Sequence, residues 1–191
     1  MNRSDFIRLS GWALMVGSVV FSLGIFAGFI QTENWYLMIA LVALISMPLL
    51  AVGLLGLRRR YGDQVGGPGK NILLIGAVLG SLISIIGYFG EVGPLGGWYY
   101  SIWVLIFAGV ILLFACLMLF GVIALFKKPL PRWNWLPLVA GIGFPFLYLL
   151  AVITGSPNPF GLLIVVLAIQ SVALVMLGYM LQADVTDDTK T

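Results

Sequence analysis

The sequence predicts an all-α membrane protein, a bundle of six transmembrane helices with both termini on the inner side, and three observations carry that prediction. The first is composition: 61% of residues are apolar, 9% are charged and the mean hydropathy is +1.11. A soluble domain is roughly 45–50% apolar and about 25% charged. The second is six runs of 19 to 25 residues, at 11–30, 35–57, 71–89, 102–126, 135–153 and 160–181, that contain no Asp, Glu, Lys, Arg or His. A helix of about 20 residues, rising 1.5 Å per residue, crosses a hydrocarbon core about 30 Å thick. The third is charge segregation. All ten Lys and Arg residues lie outside these runs, in alternate gaps: Arg3 and Arg8; Arg58, Arg59, Arg60 and Lys70; Lys127, Lys128 and Arg132; Lys190. Basic residues near span ends stay on the cytoplasmic side, which orients the chain N-in, C-in in the cell (plasma or inner) membrane.

The first run, 11–30, is longer than a signal-peptide core and lacks a small-x-small cleavage site after it, so it reads as a retained anchor. Small residues recur along it at spacing four, Ala13 to Gly17, Ser18 to Ser22 and Gly24 to Gly28, and again at Gly76 to Gly80. Such faces let helices approach closely, either inside the bundle or against a protein partner or second copy. The second run opens on Trp35 and Tyr36, which suit an outer interface, and carries Pro48, which removes a helical hydrogen bond and predicts a kink. The connection 58–70, RRRYGDQVGGPGK, is rich in glycine and charge and reads as a mobile inner loop.

The third run, 71–89, leads to an outer segment with Glu91, Trp98, Tyr99 and Tyr100, followed by Trp103. Trp12, Tyr61, Trp133 and Trp135 fall where the inner aromatic belt belongs. The fourth run holds Cys116, the single cysteine, which rules out an intramolecular disulfide and suits a small apolar packing role. In the fifth, Gly141, Gly143 and Pro145 predict a second kink, and in the sixth Gln170 is the one carboxamide deep in a span. Residues 1–181 therefore form one transmembrane domain, and 182–191, QADVTDDTKT, form a polar tail expected to be disordered.

Three hairpins of like orientation suggest parallel repeats. Gly17, Gly80 and Gly143 recur at intervals of 63, and Trp35 to Ala40 (WYLMIA) aligns with Trp103 to Ala108 (WVLIFA). Chance likeness of apolar, glycine-rich segments is the competing explanation.

Function is constrained chiefly by what is missing. With no histidine and no ionisable group inside a span, histidine-ligated haem, zinc peptidase and serine-histidine hydrolase sites have no working parts, and buried proton relays are disfavoured. No pattern asks for a catalytic residue, a cofactor or a metal. The basic residues flank spans in separate segments, which explains them without nucleic acid. Arg58, Arg59, Arg60, Lys127 and Lys128 are instead candidate contacts to anionic headgroups of membrane lipids on the inner side, each worth about 1 kcal/mol near the surface. Glu33 and Glu91 occupy corresponding outer positions: they mark the water boundary or, if they converge with Thr154, Ser156 and Asn158, form a cation-attracting mouth. Gln170 is a clamp across a helix interface or a ligand contact. Pro48, Gly141, Gly143 and Pro145 are packing kinks or the freed carbonyls of a binding site.

The stretch Leu54 to Tyr61 (LLGLRRRY), followed by a glycine-rich turn and Ile72 to Gly80 (ILLIGAVLG), resembles a broad class of uncharacterised prokaryotic six-span membrane proteins, over about the first half of the chain. Size and span number are also similar to the substrate-binding subunits of energy-coupling vitamin importers. That resemblance implies docking through Ala13, Gly17, Gly24 and Gly28. The expectation from the residues is an accessory, assembly or regulatory subunit without chemistry of its own, acting through helix packing. The alternative is a transporter or binding subunit for a small neutral or lipidic molecule, held between the kinked second and fifth helices.

Overall fold

Asn2 stands at the start of the first helix: its carbonyl accepts a hydrogen bond from the Phe6 N–H at 3.2 Å, and its Oδ1 accepts one from the Arg3 backbone N–H at 2.8 Å. In the computed structural model, which describes residues 2–30, 40–92, 99–130, 133–154 and 160–188, helix α1 runs over Arg3–Ile30. It thus begins one turn and more before the apolar run. A π-helical segment Leu41–Ser46 leads into α2 (Met47–Ile75), and a second one, Gly76–Gly80, leads into α3 (Ser81–Val92). Then follow α4 (Tyr99–Lys127), α5 (Leu136–Thr154) and α6 (Phe160–Asp188). The described residues are all-helical and contain no strand. By length and apolarity four stretches suit a membrane crossing: Arg3–Ala27, Leu41–Gly90, Val104–Lys127 and Ile164–Ala183.

The stretch Leu41–Gly90 is 50 residues long, and one glycine breaks it. Gly66 has φ 81° and ψ 177°, a conformation open essentially to glycine alone. The chain doubles back there. Residues 58 and 70 would lie about 18 Å apart in a straight helix, yet Arg58 Nε donates to the Lys70 carbonyl at 3.2 Å. Pro68 falls in the first turn after the break, where a missing N–H costs nothing. The segment 58–70, expected to be a mobile loop, is therefore helical on both sides of a single sharp reversal. Likewise α6 continues to Asp188, so the first part of the tail expected to be disordered is helical.

Pro48 does not break its helix. It stands in the first turn of the regular part of α2, directly after the π-helical segment Leu41–Ser46. The wider i→i+5 turn takes up the proline, as π-bulges do elsewhere.

Each helix packs on its neighbours in the chain, and α1 packs on α6, so the first and last helices meet. Their core contains Leu14, Leu50, Leu54, Leu57, Leu113, Leu117 and Phe120, all fully buried, and the rings of Phe21 and Phe114 meet at 5.2 Å between centroids. Glycine sets the close approaches. A Cβ on Gly56 would strike Ser10, one on Gly121 the Leu138 backbone, and one on Gly76 Cys116, which is buried. The outer surface is a broad apolar belt, including Leu9, Trp12, Val16, Val19 and Leu23 on α1 and Ile164, Ile169 and Val172 on α6. Trp12 and Trp135 belong to that surface. Tyr61 does not: it is 2% exposed and part of the core, contrary to its expected place in the belt.

Candidate functional site

Among helices packed in an apolar setting, hydroxyls satisfy themselves by bonding backbone carbonyls, and here they do so. Ser10 donates to the Ile7 carbonyl at 2.7 Å, Ser18 to Met15 at 2.7 Å and Ser81 to Ala77 at 2.6 Å. Two others bridge helices: Ser46 donates to the Gly17 carbonyl and Ser84 to that of Ile106, both at 3.0 Å. Ser22 and Ser171 share a hydrogen bond between α1 and α6. A carboxamide has more groups to satisfy than a hydroxyl. Gln170 is 1% exposed, and neither its Nε2 nor its Oε1 finds a partner; among the described residues the other such atom is Gln182 Nε2.

Gln170 lies against the glycines expected to kink α5, and the helical repeat separates their roles. Two residues along a helix turn a side chain by about 200°. Gly141 accordingly faces α4, where a Cβ would collide with the Met118 backbone, whereas Gly143 faces α6, where a Cβ would lie 2.5 Å from Gln170 Oε1 and 3.1 Å from its Cδ. Pro145, half-buried, leaves the Gly141 carbonyl without its usual i+4 donor. Gly141, Gly143 and Gln170 thus belong to one α4–α5–α6 contact. Its glycines serve close packing, and its amide is unsatisfied.

The second site lies at the end where the basic residues gather. A pocket of about 580 Å³ is lined by Arg3 and Phe6 from α1 and by Leu55, Arg58, Arg59, Asp63 and Lys70 from the two sides of the Gly66 reversal. Backbone carbonyls orient two of its guanidinium groups: Arg3 Nη2 donates to the Arg59 carbonyl at 3.1 Å, and Arg58 Nε to that of Lys70. Arg59 lies over the Phe6 ring, 5.3 Å from its centroid. Lys70 Nζ donates to Asp63 Oδ1 at 2.8 Å. That hydrogen bond, together with the Lys70 charge and lesser contributions from Arg3 and Arg58, holds the Asp63 carboxyl below its ordinary 3.8 against an opposing effect of desolvation. Four cations face one carboxylate, which leaves a net charge of +3 on the lining.

Of the residues expected to contact headgroups, Arg58 and Arg59 line this pocket, and Arg60 is half-buried. Lys127 sits beyond the rim, its Nζ 3.5 Å from where a Cβ on Gly66 would stand. Lys128 is exposed and adopts φ 49°, capping α4 in a left-handed conformation, with its N–H donating to the Ala124 carbonyl at 2.9 Å. Arg3 and Lys70 complete the pocket and were not singled out from the sequence. The signal available was the glycine-rich segment between Arg58 and Lys70, which permits a reversal that brings its ends together.

Glu33, Ser156 and Asn158 lie outside the described residues, as do the side chains of Glu91 and Thr154. Among the described residues α2 and α5 do not form a main interface, and a wholly apolar groove of about 280 Å³ runs between α5 and α6, lined by Val139, Ile169, Val172 and Met176 among others. Among the described residues no group of three His, Cys, Asp or Glu side chains could hold a metal. Comparison of the chain with protein-family models, with curated proteins and with solved structures gives no match.

Proposed function

We propose that this protein is a six-span membrane bundle that binds an anionic lipid, whose headgroup enters the pocket between the start of α1 and the Gly66 reversal. One observation carries the proposal: Arg3, Arg58 and Arg59 converge on a single opening and, among the described residues, none of them bonds a carboxylate, while Lys70 has its own counter-ion in Asp63. Guanidinium groups bind phosphate through paired N–H donors, and an uncompensated cluster at a membrane face attracts anionic lipid. Phe6 and Leu55 give the pocket an apolar wall beside the charges, as a lipid requires.

Topology supports the same reading. The Gly66 reversal cuts the 50-residue apolar stretch Leu41–Gly90 into two arms of similar length. Each arm is about 35 Å long, enough to cross the hydrocarbon core. With α1, α4, α5 and α6 they make six spans. Arg3 meets Arg59, Arg58 meets Lys70, and Lys127 lies by Gly66, so basic residues from three inner segments share one end, which suits the cytoplasmic face.

An accessory role through small-residue faces has less support. Ala13, Ser18 and Gly24 are buried within the bundle, and Gly17 lies against Leu49 and Leu50 of α2. These surfaces are occupied by the protein's own helices. In our reading the chain acts by binding, without chemistry of its own. Native mass spectrometry after gentle extraction from its own membrane tests this: a reproducibly retained anionic lipid is expected, and a protein that retains no lipid, or zwitterionic lipid equally, contradicts it.

A further inference from the structure

We infer that the inner pocket selects lipids whose headgroup ends in a phosphomonoester or diphosphate over lipids with a phosphodiester headgroup. This inference rests on the lipid-binding reading above and narrows it to one headgroup chemistry. Its basis is the division of charge in the pocket. The Lys70–Asp63 pair is internally neutral, with Nζ and Oδ1 2.8 Å apart, and the remaining charge resides on three guanidinium groups. A phosphodiester brings one charge and two free oxygens, whereas a terminal phosphate brings a charge of about −1.5 to −2 and three strong acceptor oxygens at neutral pH. Three forks and three positive charges match the second ligand.

The protein holds these forks in place while leaving donors open. A guanidinium carries five N–H donors, and one from each of Arg3 and Arg58 is used on a backbone carbonyl, at 3.1 and 3.2 Å. Arg59 is positioned by the Phe6 ring and, among the described residues, makes no carboxylate pair. Such preorganisation lowers the cost of gathering like charges around an anion. The volume of about 580 Å³ admits a headgroup larger than a single phosphate. The lipid itself is indicated by what adjoins the pocket. From Phe6, a line of side chains at helical spacing, Leu9, Trp12 and Val16, runs up the outer face of α1 and is roughly half exposed, giving an acyl chain an apolar lane that begins at the headgroup.

The test uses the full-length protein in nanodiscs, titrated by native mass spectrometry with phosphatidic acid and phosphatidylglycerol of identical acyl chains. Phosphatidic acid is expected to bind about tenfold more tightly, equivalent to about 1.4 kcal/mol. Equal affinity for the two lipids overturns the inference and leaves the lipid-binding reading standing. Failure of both to bind better than phosphatidylcholine overturns that reading as well. Glycerol 3-phosphate and inorganic pyrophosphate form a separate arm: little competition at equal concentration supports a lipid ligand, whereas displacement of phosphatidic acid by either identifies a soluble phosphate as the ligand. Arg59→Gln is expected to reduce the preference to about twofold or less. Arg59→Lys keeps the charge without the fork and should recover only part of it; unchanged preference in Arg59→Gln, with the variant's helicity and melting intact, also refutes the inference.

Discussion

Replacing Gln170 by methionine should stabilise the bundle or leave its stability unchanged, although the position is 1% exposed and lies in the α5–α6 contact. A buried side chain ordinarily loses stability when altered, and the opposite expectation follows from its two unpartnered amide atoms. An unsatisfied buried polar group costs about 1–3 kcal/mol, and interhelical polar bonds in membrane proteins return on average only about 0.6 kcal/mol even when made. Methionine is unbranched and close in volume, so the contact with Gly143 persists while the unsatisfied amide disappears; volume-conserving swaps cost less than about 1.5 kcal/mol. The balance is a gain of about 1 kcal/mol, or no change if repacking absorbs it. Reversible unfolding in mixed detergent micelles, followed by circular dichroism, measures it. A loss of more than about 2 kcal/mol, beyond what the volume-conserving swap itself costs, would mean that the amide makes hydrogen bonds, refuting the view that it is unsatisfied.

Other outcomes follow from the same geometry. Gly143→Ala places a Cβ 2.5 Å from Gln170 Oε1, so it should destabilise the native protein by about 1–3 kcal/mol, as overpacking does, and cost much less in a Gln170→Ala background; additivity in that double-mutant cycle would show that the two residues do not touch. Lys128→Gly should raise stability by about 1 kcal/mol, because a side chain at φ 49° carries a left-handed penalty that glycine lacks; an unchanged melting curve would count against that cap. Asp63 should titrate below 3.8 by carbon-13 NMR, and Lys70→Gln should move its midpoint back toward that value, since Lys70 is the largest cause of the shift. The sign follows: a carboxylate with a depressed folded pKa contributes stability that is present above about 3.8 and is lost as pH falls through the lower folded value. A midpoint unmoved by Lys70→Gln would assign the shift to Arg3 and Arg58.

The helical character was legible because uninterrupted apolar runs have one viable structure in hydrocarbon. Their ends were less so. Hydropathy sets a boundary where charge begins, but hydrogen bonding carries α1 back to Asn2 and α6 on to Asp188, through residues that water tolerates. Tyr61 illustrates another limit: it follows three arginines and suits an interface by type, yet its side chain turns into the core. The pocket was half legible. Arg58 and Arg59 stand out as a run, whereas Arg3 joins them only through the α1–α2 packing, and Lys70 only through the conformation of Gly66. Opposite facing of Gly141 and Gly143 follows from helical geometry once both are placed on one helix. That Gly143 faces Gln170 is set by the relative rotation of α5 and α6, which local sequence does not encode.

Photo-crosslinking with an acidic phospholipid bearing a diazirine near its headgroup tests the central claim most directly. Reconstituted protein should label predominantly at peptides containing Phe6 and Leu55, and an Arg58→Gln, Arg59→Gln double variant should lose that labelling while labelling of the α5–α6 groove is unchanged. Labelling spread evenly over the lipid-facing surface, or insensitive to loss of the two arginines, would contradict a headgroup site at the start of α1.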